Sequence, residues 1–224
     1  MSLRVATYNI HQGMGRDGIK NPRRIADVLG EINADIVALQ EVTSHPEISD
    51  DMLAHIAAST EMKLVEGFTL TVAESRYGNA LLSSLPISVV NRVDISVKGR
   101  EPRGVIEVAL NHNCQDVVLW ATHLGLSIPE RHQQIDKLLK IINVVDADMS
   151  ILLGDLNLWW PSRKLQRRFT KVHSPATFPA IRPFLKLDRI LVRPANKITK
   201  IRTHSTKLSR VASDHLPLVA DIAL

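Results

Sequence analysis

Ser213-Asp214-His215 sets a carboxylate beside an imidazole just ahead of the apolar run Leu216-Pro217-Leu218-Val219. Three other apolar runs end in similar chemistry. Asp35-Ile36-Val37-Ala38 leads into Leu39-Gln40-Glu41-Val42, Val117-Val118-Leu119-Trp120 into Ala121-Thr122-His123-Leu124, and Ser150-Ile151-Leu152-Leu153 into Gly154-Asp155-Leu156-Asn157. Short apolar runs of this kind read as buried strands. The ends of buried strands are where α/β enzymes place ligands and catalytic groups. Carboxylate, amide and imidazole groups at several strand ends imply one site assembled from the whole chain. They also imply chemistry that needs a hard metal ion.

The elements that must position these groups alternate between short strands and amphipathic helices. Leu3–Ile10 reads as a strand, and Asn21-Pro22 opens a helix, with Asn as cap and Pro at the first helical position. Ile25, Val28, Leu29 and Ile32 fall on one face of that helix. Ile36–Gln40 is a buried strand, and Met52–Ala58 is a helix with Leu53, Ile56 and Ala57 inward. Lys63–Phe68, Asn79–Ser83, Ile87–Val97, Gly104–Asn111 and Asp116–Thr122 follow as strands separated by turn signals. Pro129 starts a helix reaching about Val145, with Ile135, Leu138, Leu139 and Ile142 as its buried stripe. Ser150–Leu153 is a strand, and Pro161–Phe169 is a short basic helix or loop. Leu185–Val192, Ile198–Thr203 and Leu216–Ile222 complete the strands. With no linker-like or low-complexity stretch, the reading is a single catalytic domain over residues 1–224. Many strands with few helices suggest two sheets packed together, with the helices outside.

A chain of 224 residues can bury a substantial core, and 45% hydrophobic with 23% charged residues is ordinary for a globular protein. This excludes a fibrous or disordered class. The net charge of +5 favours anionic partners such as phosphate esters, nucleic acid or acidic lipid, without choosing among them. The single cysteine, Cys114, excludes an intramolecular disulfide and a Cys-rich zinc site. It follows Asn113 near a turn and reads as incidental. No apolar run approaches the ~20 residues that cross a bilayer, and Leu3–Ile10 is too short and polar for a secretory segment. A cytoplasmic monomer is the expectation.

In order, Thr7-Tyr8-Asn9, Gln40-Glu41-Val42, Tyr77-Gly78-Asn79-Ala80-Leu81-Leu82-Ser83, Thr122-His123-Leu124, Gly154-Asp155-Leu156-Asn157, Leu187-Asp188-Arg189-Ile190 and Ser213-Asp214-His215 resemble the endonuclease/exonuclease/phosphatase superfamily, especially its small bacterial members. The resemblance spans nearly the whole chain. It implies an α/β four-layer sandwich, two mixed or antiparallel sheets with helices on the outer faces, and Mg²⁺- or Mn²⁺-dependent hydrolysis of phosphate esters.

Physical chemistry agrees with that implication. A phosphodiester repels its nucleophile and accumulates charge on oxygen, and a divalent cation offsets both effects. Mg²⁺ takes oxygen ligands and keeps several waters, so one or two carboxylates suffice to hold it. Glu41 is the primary candidate ligand, with Asn9 and Asp214 completing the inner or water-mediated set. Asp155 and Asn157 alternate along an extended segment and so point the same way. The resemblance implies that Asp155 orients or deprotonates water while Asn157 holds a phosphate oxygen. A simple turn is the competing reading of Gly-Asp-Leu-Asn. His215 reads as general base or phosphate-oxygen donor, and the proton acceptor is Asp155 or His215. Asp188 is the candidate that orients His215, unless it pairs with Arg189. His123 is expected at the phosphate, and Asn79 at the substrate. His11 stands where some nuclease members carry an acid. It is either a substrate contact or a solvated loop residue.

Arg163-Lys164-Leu165-Gln166-Arg167-Arg168-Phe169-Thr170-Lys171 lies between site motifs. Through Arg163 and Arg167 it could steer a polyanion, or it is a solvated face. Trp159-Trp160 could stack on a base or touch an acyl chain, with burial over the cleft wall at least as expected for large aromatics. Three functional classes follow: a phosphodiesterase or nuclease acting on nucleic acid, a phosphoesterase acting on lipid head groups or inositol-type phosphates, and a non-catalytic anion-binding module.

Overall fold

The computed structural model describes residues 2–45, 47, 51–169 and 174–224. Its strands are β1 (Ser2–Asn9), β2 (Ile36–Ser44), β3 (Lys63–Val72), β4 (Ser75–Ser83), β5 (Val89–Asp94), β6 (Gly104–His112), β7 (Gln115–His123), β8 (Met149–Asp155), β9 (Asp188–Arg193), β10 (Ile198–Thr203) and β11 (Leu218–Ala223). Its helices are α1 (Pro22–Ile32), α2 (Met52–Thr60), α3 (Ile128–Ile142), α4 (Arg163–Phe169) and α5 (Ser209–Ala212). A six-stranded sheet runs β10-β11-β1-β2-β4-β3, and a five-stranded sheet runs β5-β6-β7-β8-β9. Among the described residues, only β1/β2 and β7/β8 pair in parallel.

Three apolar clusters separate four layers. Leu3, Val5, Ile36, Ala38, Leu81, Val117, Leu119, Ile151 and Leu153 fill the space between the sheets. Ala6, Tyr8, Val37 and Leu39, on the opposite pleat, pack with Ile25, Val28 and Leu29 of α1 and Leu53 and Ile56 of α2. Val118, Trp120 and Leu152 pack with Ile135, Leu138 and Ile142 of α3 and Leu165 and Phe169 of α4. A central strand covered on both faces needs apolar residues at successive positions. That is why the runs in β1, β2, β7 and β8 are continuous rather than alternating.

Local chemistry sets the helix starts. Asn21 accepts the Arg24 N–H at 3.1 Å with Pro22 at the first helical position, and Asp51 caps α2 by accepting from Ala54 N at 3.0 Å. The β6–β7 hairpin turns through Asn113 and Cys114, both at positive φ (53° and 61°), and leaves the Cys114 thiol exposed. The expected strands are all present, with shifted ends. β2 runs on to Ser44 rather than ending before Glu41, and β9 starts at Asp188 rather than Leu185. Pro161–Phe169 resolves into the helix α4, while Thr170 and Lys171 lie outside the described residues.

Candidate active site

Along each central strand the stripe facing the other sheet is apolar until one end of the sandwich, where it turns polar. In β1 the stripe Leu3, Val5 continues as Thr7 and Asn9, and in β7 the stripe Val117, Leu119, Ala121 ends in His123. In β8 Met149, Ile151 and Leu153 lead to Asp155. On antiparallel strands the same end is the N-terminal one, so Asn79 precedes Leu81 in β4 and Asp188 precedes Ile190 and Val192 in β9. The two-residue period of the strand therefore delivers one polar group per strand to a common floor. Asn9, Asn79, His123, Asp155, Asp188 and His215 are all buried there.

Asp155 is the hub. Its Oδ1 accepts the backbone N–H of Asn157 at 2.9 Å, and its Oδ2 accepts from Asn9 Nδ2, in the other sheet, at 3.2 Å. The Nε2 atoms of His123 and His215 each lie 3.7 Å from that same Oδ2. Gly154 makes this approach possible. It has φ 149°, and a Cβ there would sit 1.8 Å from the Thr122 carbonyl oxygen of β7. Only glycine lets β8 close on β7 in the register that sets Asp155 opposite His123.

His215 and Asp188 form an acid–imidazole pair, with Nδ1 2.9 Å from Asp188 Oδ2. Thr177 donates its hydroxyl to the same oxygen at 2.6 Å, and the Phe178 ring lies 4.8 Å from the imidazole. Burial pushes the His215 pKa down, but the Asp188 charge and hydrogen bond, with Asp155 and Asp214 behind them, outweigh it and raise it to about 10. With Nδ1–H given to Asp188, His215 presents Nε2–H towards Asp155. Asp188 does not pair with its neighbour. Arg189 instead donates to the Leu158 carbonyl at 3.0 Å, and burial lowers its pKa to about 10.

His123 is held the opposite way. Arg103, buried and paired with Glu101 at 3.0 Å, places Nη1 3.0 Å from His123 Nδ1. A guanidinium can only donate, so Nδ1 accepts and the ring proton sits on Nε2. Burial pushes the His123 pKa down to about 3, with Arg103 and His215 acting in the same direction against Asp155. Asn157 Nδ2 donates to the Leu124 carbonyl at 2.9 Å and lies 3.2 Å from His123 Nε2. With the ring proton on Nε2 this last approach sets two donors against each other, which an anionic oxygen accepting from both would relieve. Asn157 gets there through a turn rather than an extended strand, since its φ is 51° and its N–H folds back onto Asp155. The expected alternation of Asp155 and Asn157 along a strand therefore fails, and an Asx turn brings them together instead.

Glu41 is not at a strand end. It sits inside β2 with φ 55°, at a bulge where Leu39 pairs with Ala80 but Val42 pairs with Gly78. Asn79 therefore faces both Gln40 and Glu41, and the bulge re-aims the Glu41 carboxylate towards the floor. Asn9 Nδ2 bonds Glu41 Oε1 at 2.9 Å as well as Asp155, while Asn9 Oδ1 accepts the His11 N–H at 3.1 Å. His11 is half-buried in a short 3₁₀ turn, with Nδ1 3.9 Å from Asp214 Oδ1. Asp214 thus stands on the His11 side. Ser213, alongside it, ties this loop to β1 by donating to the Asn9 carbonyl at 2.8 Å.

The Exo_endo_phos family model, described as the Endonuclease/Exonuclease/phosphatase family, matches residues 6–215. The chain belongs to the endonuclease/exonuclease/phosphatase family. The uncharacterized protein YbhP of Escherichia coli K12 is 32% identical, over the whole of this chain and 97% of its own. A Beutenbergia cavernae endonuclease/exonuclease/phosphatase superposes with TM-score 0.78 at 24% identity, covering all of this chain and 72% of its own. Truncated Caenorhabditis elegans TDP2 gives 0.70 at 19%, covering 100% and 98%. The four-layer architecture is that of the family, whose members are phosphate-ester hydrolases that use divalent metals.

The residues fit such a cation. One amide, Asn9 Nδ2, bridges the carboxylates of Glu41 and Asp155, and carboxylate oxygens suit a hard ion. The negative field registers on nearby tyrosines. Tyr77 is pushed up by burial and then by Glu41, and Tyr8 by burial and then by Asp214. Asp155, Asp188 and His215 also bring ligand atoms within 4.8 Å of one another, but hydrogen bonding already commits Asp188 to His215 and Thr177.

Sequence reasoning gave no site role to Arg103, Thr177 or Phe178, and quoted Tyr77 only as part of a motif. Their roles come from contacts made in the folded chain: Arg103 with His123, Thr177 with Asp188 and Phe178 with His215. Arg163 and Arg167 are exposed on α4, one turn apart. Their basic neighbours are turned to structure: Lys164 pairs with Asp136 of α3, and Arg168 donates to the Ile142 and Val145 carbonyls. Trp159 and Trp160 are not buried over the cleft wall; they are 58% and 76% exposed.

Proposed function

We propose that this protein is a Mg²⁺- or Mn²⁺-dependent phosphodiesterase that cleaves its substrate by in-line attack of water. The convergence of Asn9, Asn157, His123 and His215 on the single carboxylate of Asp155 carries this reading. Glu41, Asn9 and Asp214 would hold the cation, which when bound supplies charge neutralisation at the phosphate.

The chain's own groups divide the remaining work. Asp155 orients the attacking water and takes its proton, since His215 is already protonated and His123 already carries its proton on Nε2. His123 and Asn157 grip a non-bridging phosphate oxygen. His215, held by Asp188, presents a cationic donor to the charge that develops on phosphate oxygen. Asn79 and His11 flank the phosphate from the six-stranded sheet, and Arg163 and Arg167 extend the positive field beyond it. An anion-binding module would have no use for a carboxylate at the centre of the donors, which argues for turnover.

Hydrolysis of bis(p-nitrophenyl) phosphate is the test. Activity should vanish in EDTA and return with Mg²⁺ or Mn²⁺, and Asp155→Asn should lower kcat by ~10²–10⁴-fold. Full activity in chelator, or near-native turnover of Asp155→Asn, would refute the proposal.

A further inference from the structure

Large apolar side chains are exposed in a cluster of loops at the site end of the sandwich. Leu126 and Ile128 follow His123 in the loop to α3, and Trp159 and Trp160 follow Asn157 in the loop to α4. Leu126 is 76% exposed and Ile128 63%. With Leu158 they line an open groove of about 740 Å³ whose polar edge carries His132, Arg163 and Lys164. Ile181 and Phe184, 56% and 70% exposed, lie on the turn that sets Phe178 against the His215 ring. That turn is fastened beside the site, since Ala180 N–H donates to the Asp214 carbonyl at 2.7 Å. Leaving this much hydrocarbon in water is unfavourable unless something covers it.

We infer that this rim seats on the surface of an anionic phospholipid bilayer, with Trp159 and Trp160 as the inserted anchors. Three observations select a bilayer. First, the tryptophans are adjacent and exposed, with ring centroids 6.1 Å apart. Each combines an apolar body with one N–H donor, the chemistry that favours the headgroup boundary. Second, the exposed apolar residues come from separate loops and have exposed basic residues as close chain neighbours, Arg163 after the tryptophans and Arg182 between Ile181 and Phe184, as expected of a surface that meets anionic headgroups. Third, among the described residues, several basic groups near this end are committed to protein partners rather than left free for a nucleic-acid backbone. Lys164 is paired with Asp136, Arg131 donates to the Gly125 and Leu126 carbonyls, and Arg210 donates to the Ile181 carbonyl. Leu158, which lines the groove, follows Asn157 directly in the chain, so the rim and the floor are built from the same loop, and a phosphoester of that bilayer is the substrate this placement favours. That substrate assignment rests on the hydrolase reading, whereas the docking surface does not.

Tryptophan fluorescence with brominated phospholipids tests the surface directly, because Trp120, the other tryptophan, is fully buried. Phosphatidylcholine vesicles containing phosphatidylglycerol should bind the protein in co-sedimentation, and bromine on the acyl chains should quench its emission. Vesicles of phosphatidylcholine alone should bind it much more weakly. The Trp159→Ser/Trp160→Ser variant should lose at least about tenfold in vesicle affinity while hydrolysing bis(p-nitrophenyl) phosphate at the native rate. No quenching by brominated anionic vesicles would overturn the inference. So would vesicle binding that the double variant leaves intact, or an oligonucleotide that binds through these tryptophans while vesicles do not. A tryptophan-dependent dimer indifferent to lipid would overturn it as well. Quenching without any diester hydrolysis would keep the docking surface and remove the hydrolase reading, and hydrolysis without quenching would do the reverse.

Discussion

The two site histidines are tuned in opposite directions by their partners. His215 faces carboxylates and is raised to about 10, whereas His123 faces a guanidinium in a dry setting and is lowered to about 3. A raised histidine stabilises the fold fully below its unfolded pKa and loses that contribution as pH rises through its folded pKa. In chelator, therefore, the stability gap between the native protein and His215→Gln should narrow from about pH 6.5 towards pH 10. Denaturant titrations across that window would show it, and a constant gap would refute the pairing. For His123 the sign is reversed. Its neutral form stabilises above the ordinary histidine pKa, and this contribution is lost as pH falls towards 3. Ring ¹⁵N shifts should report an unchanging Nε2–H tautomer from pH 8 down to about 5, and Arg103→Met should disturb it. The Asp188–His215 pair should behave as one unit in turnover: Asp188→Asn/His215→Ala should be scarcely worse than His215→Ala. Multiplicative losses would separate the two residues. The paired acid was visible in the sequence motif. The guanidinium was not, because Arg103 and His123 meet only through the pairing of β6 with β7.

At the scale of elements, runs of apolar residues gave the strands and caps gave the helix starts, since both are local physics. What the sequence did not show is how strand geometry departs from ideal at the site. Glu41 looked like the residue after a strand, yet it occupies a bulge inside one, a feature set by where β4 pairs rather than by the residues of β2. Asn157 looked extended and is a turn, because its own N–H finds the Asp155 carboxylate. Two glycines separate site geometry from ordinary packing. Gly154→Ala would drive a Cβ into the Thr122 carbonyl at φ 149°, so it should destabilise by several kcal/mol or abolish folding. Gly30, in the last turn of α1, has nothing within 4 Å of the position a Cβ would take, so it should tolerate alanine and gain up to roughly 0.5–1 kcal/mol. Urea midpoints of the two variants should move in opposite directions.

At the scale of the whole molecule, the sandwich is dry in its middle and charged at one end. The layers could be read from the sequence, since strands buried on both faces must be continuously apolar. The exposed rim could not, because a sequence does not say whether a tryptophan beside a site turns inward, and of the readings left open for Trp159 and Trp160 burial over the cleft wall is the one their exposure rules out. Concentrating acids at one end has an energetic consequence. Glu41 and Asp155 share one amide, Asn9 Nδ2, so two like charges are held close together where a cation would bind. A ligand that binds only the folded state stabilises it by mass action, by about 2.7 kcal/mol at a hundredfold excess over Kd. For a chain of this size that corresponds to a rise in Tm of roughly 5–10 °C. Thermal unfolding in EDTA and then in saturating Mn²⁺ should show it. Glu41→Gln should keep the Tm of the metal-free protein or raise it, because one member of a repelling pair is neutralised, and should abolish the Mn²⁺-dependent rise. A variant that unfolds early in EDTA would make Glu41 a structural acid, and one that keeps the full Mn²⁺ shift would place the cation elsewhere.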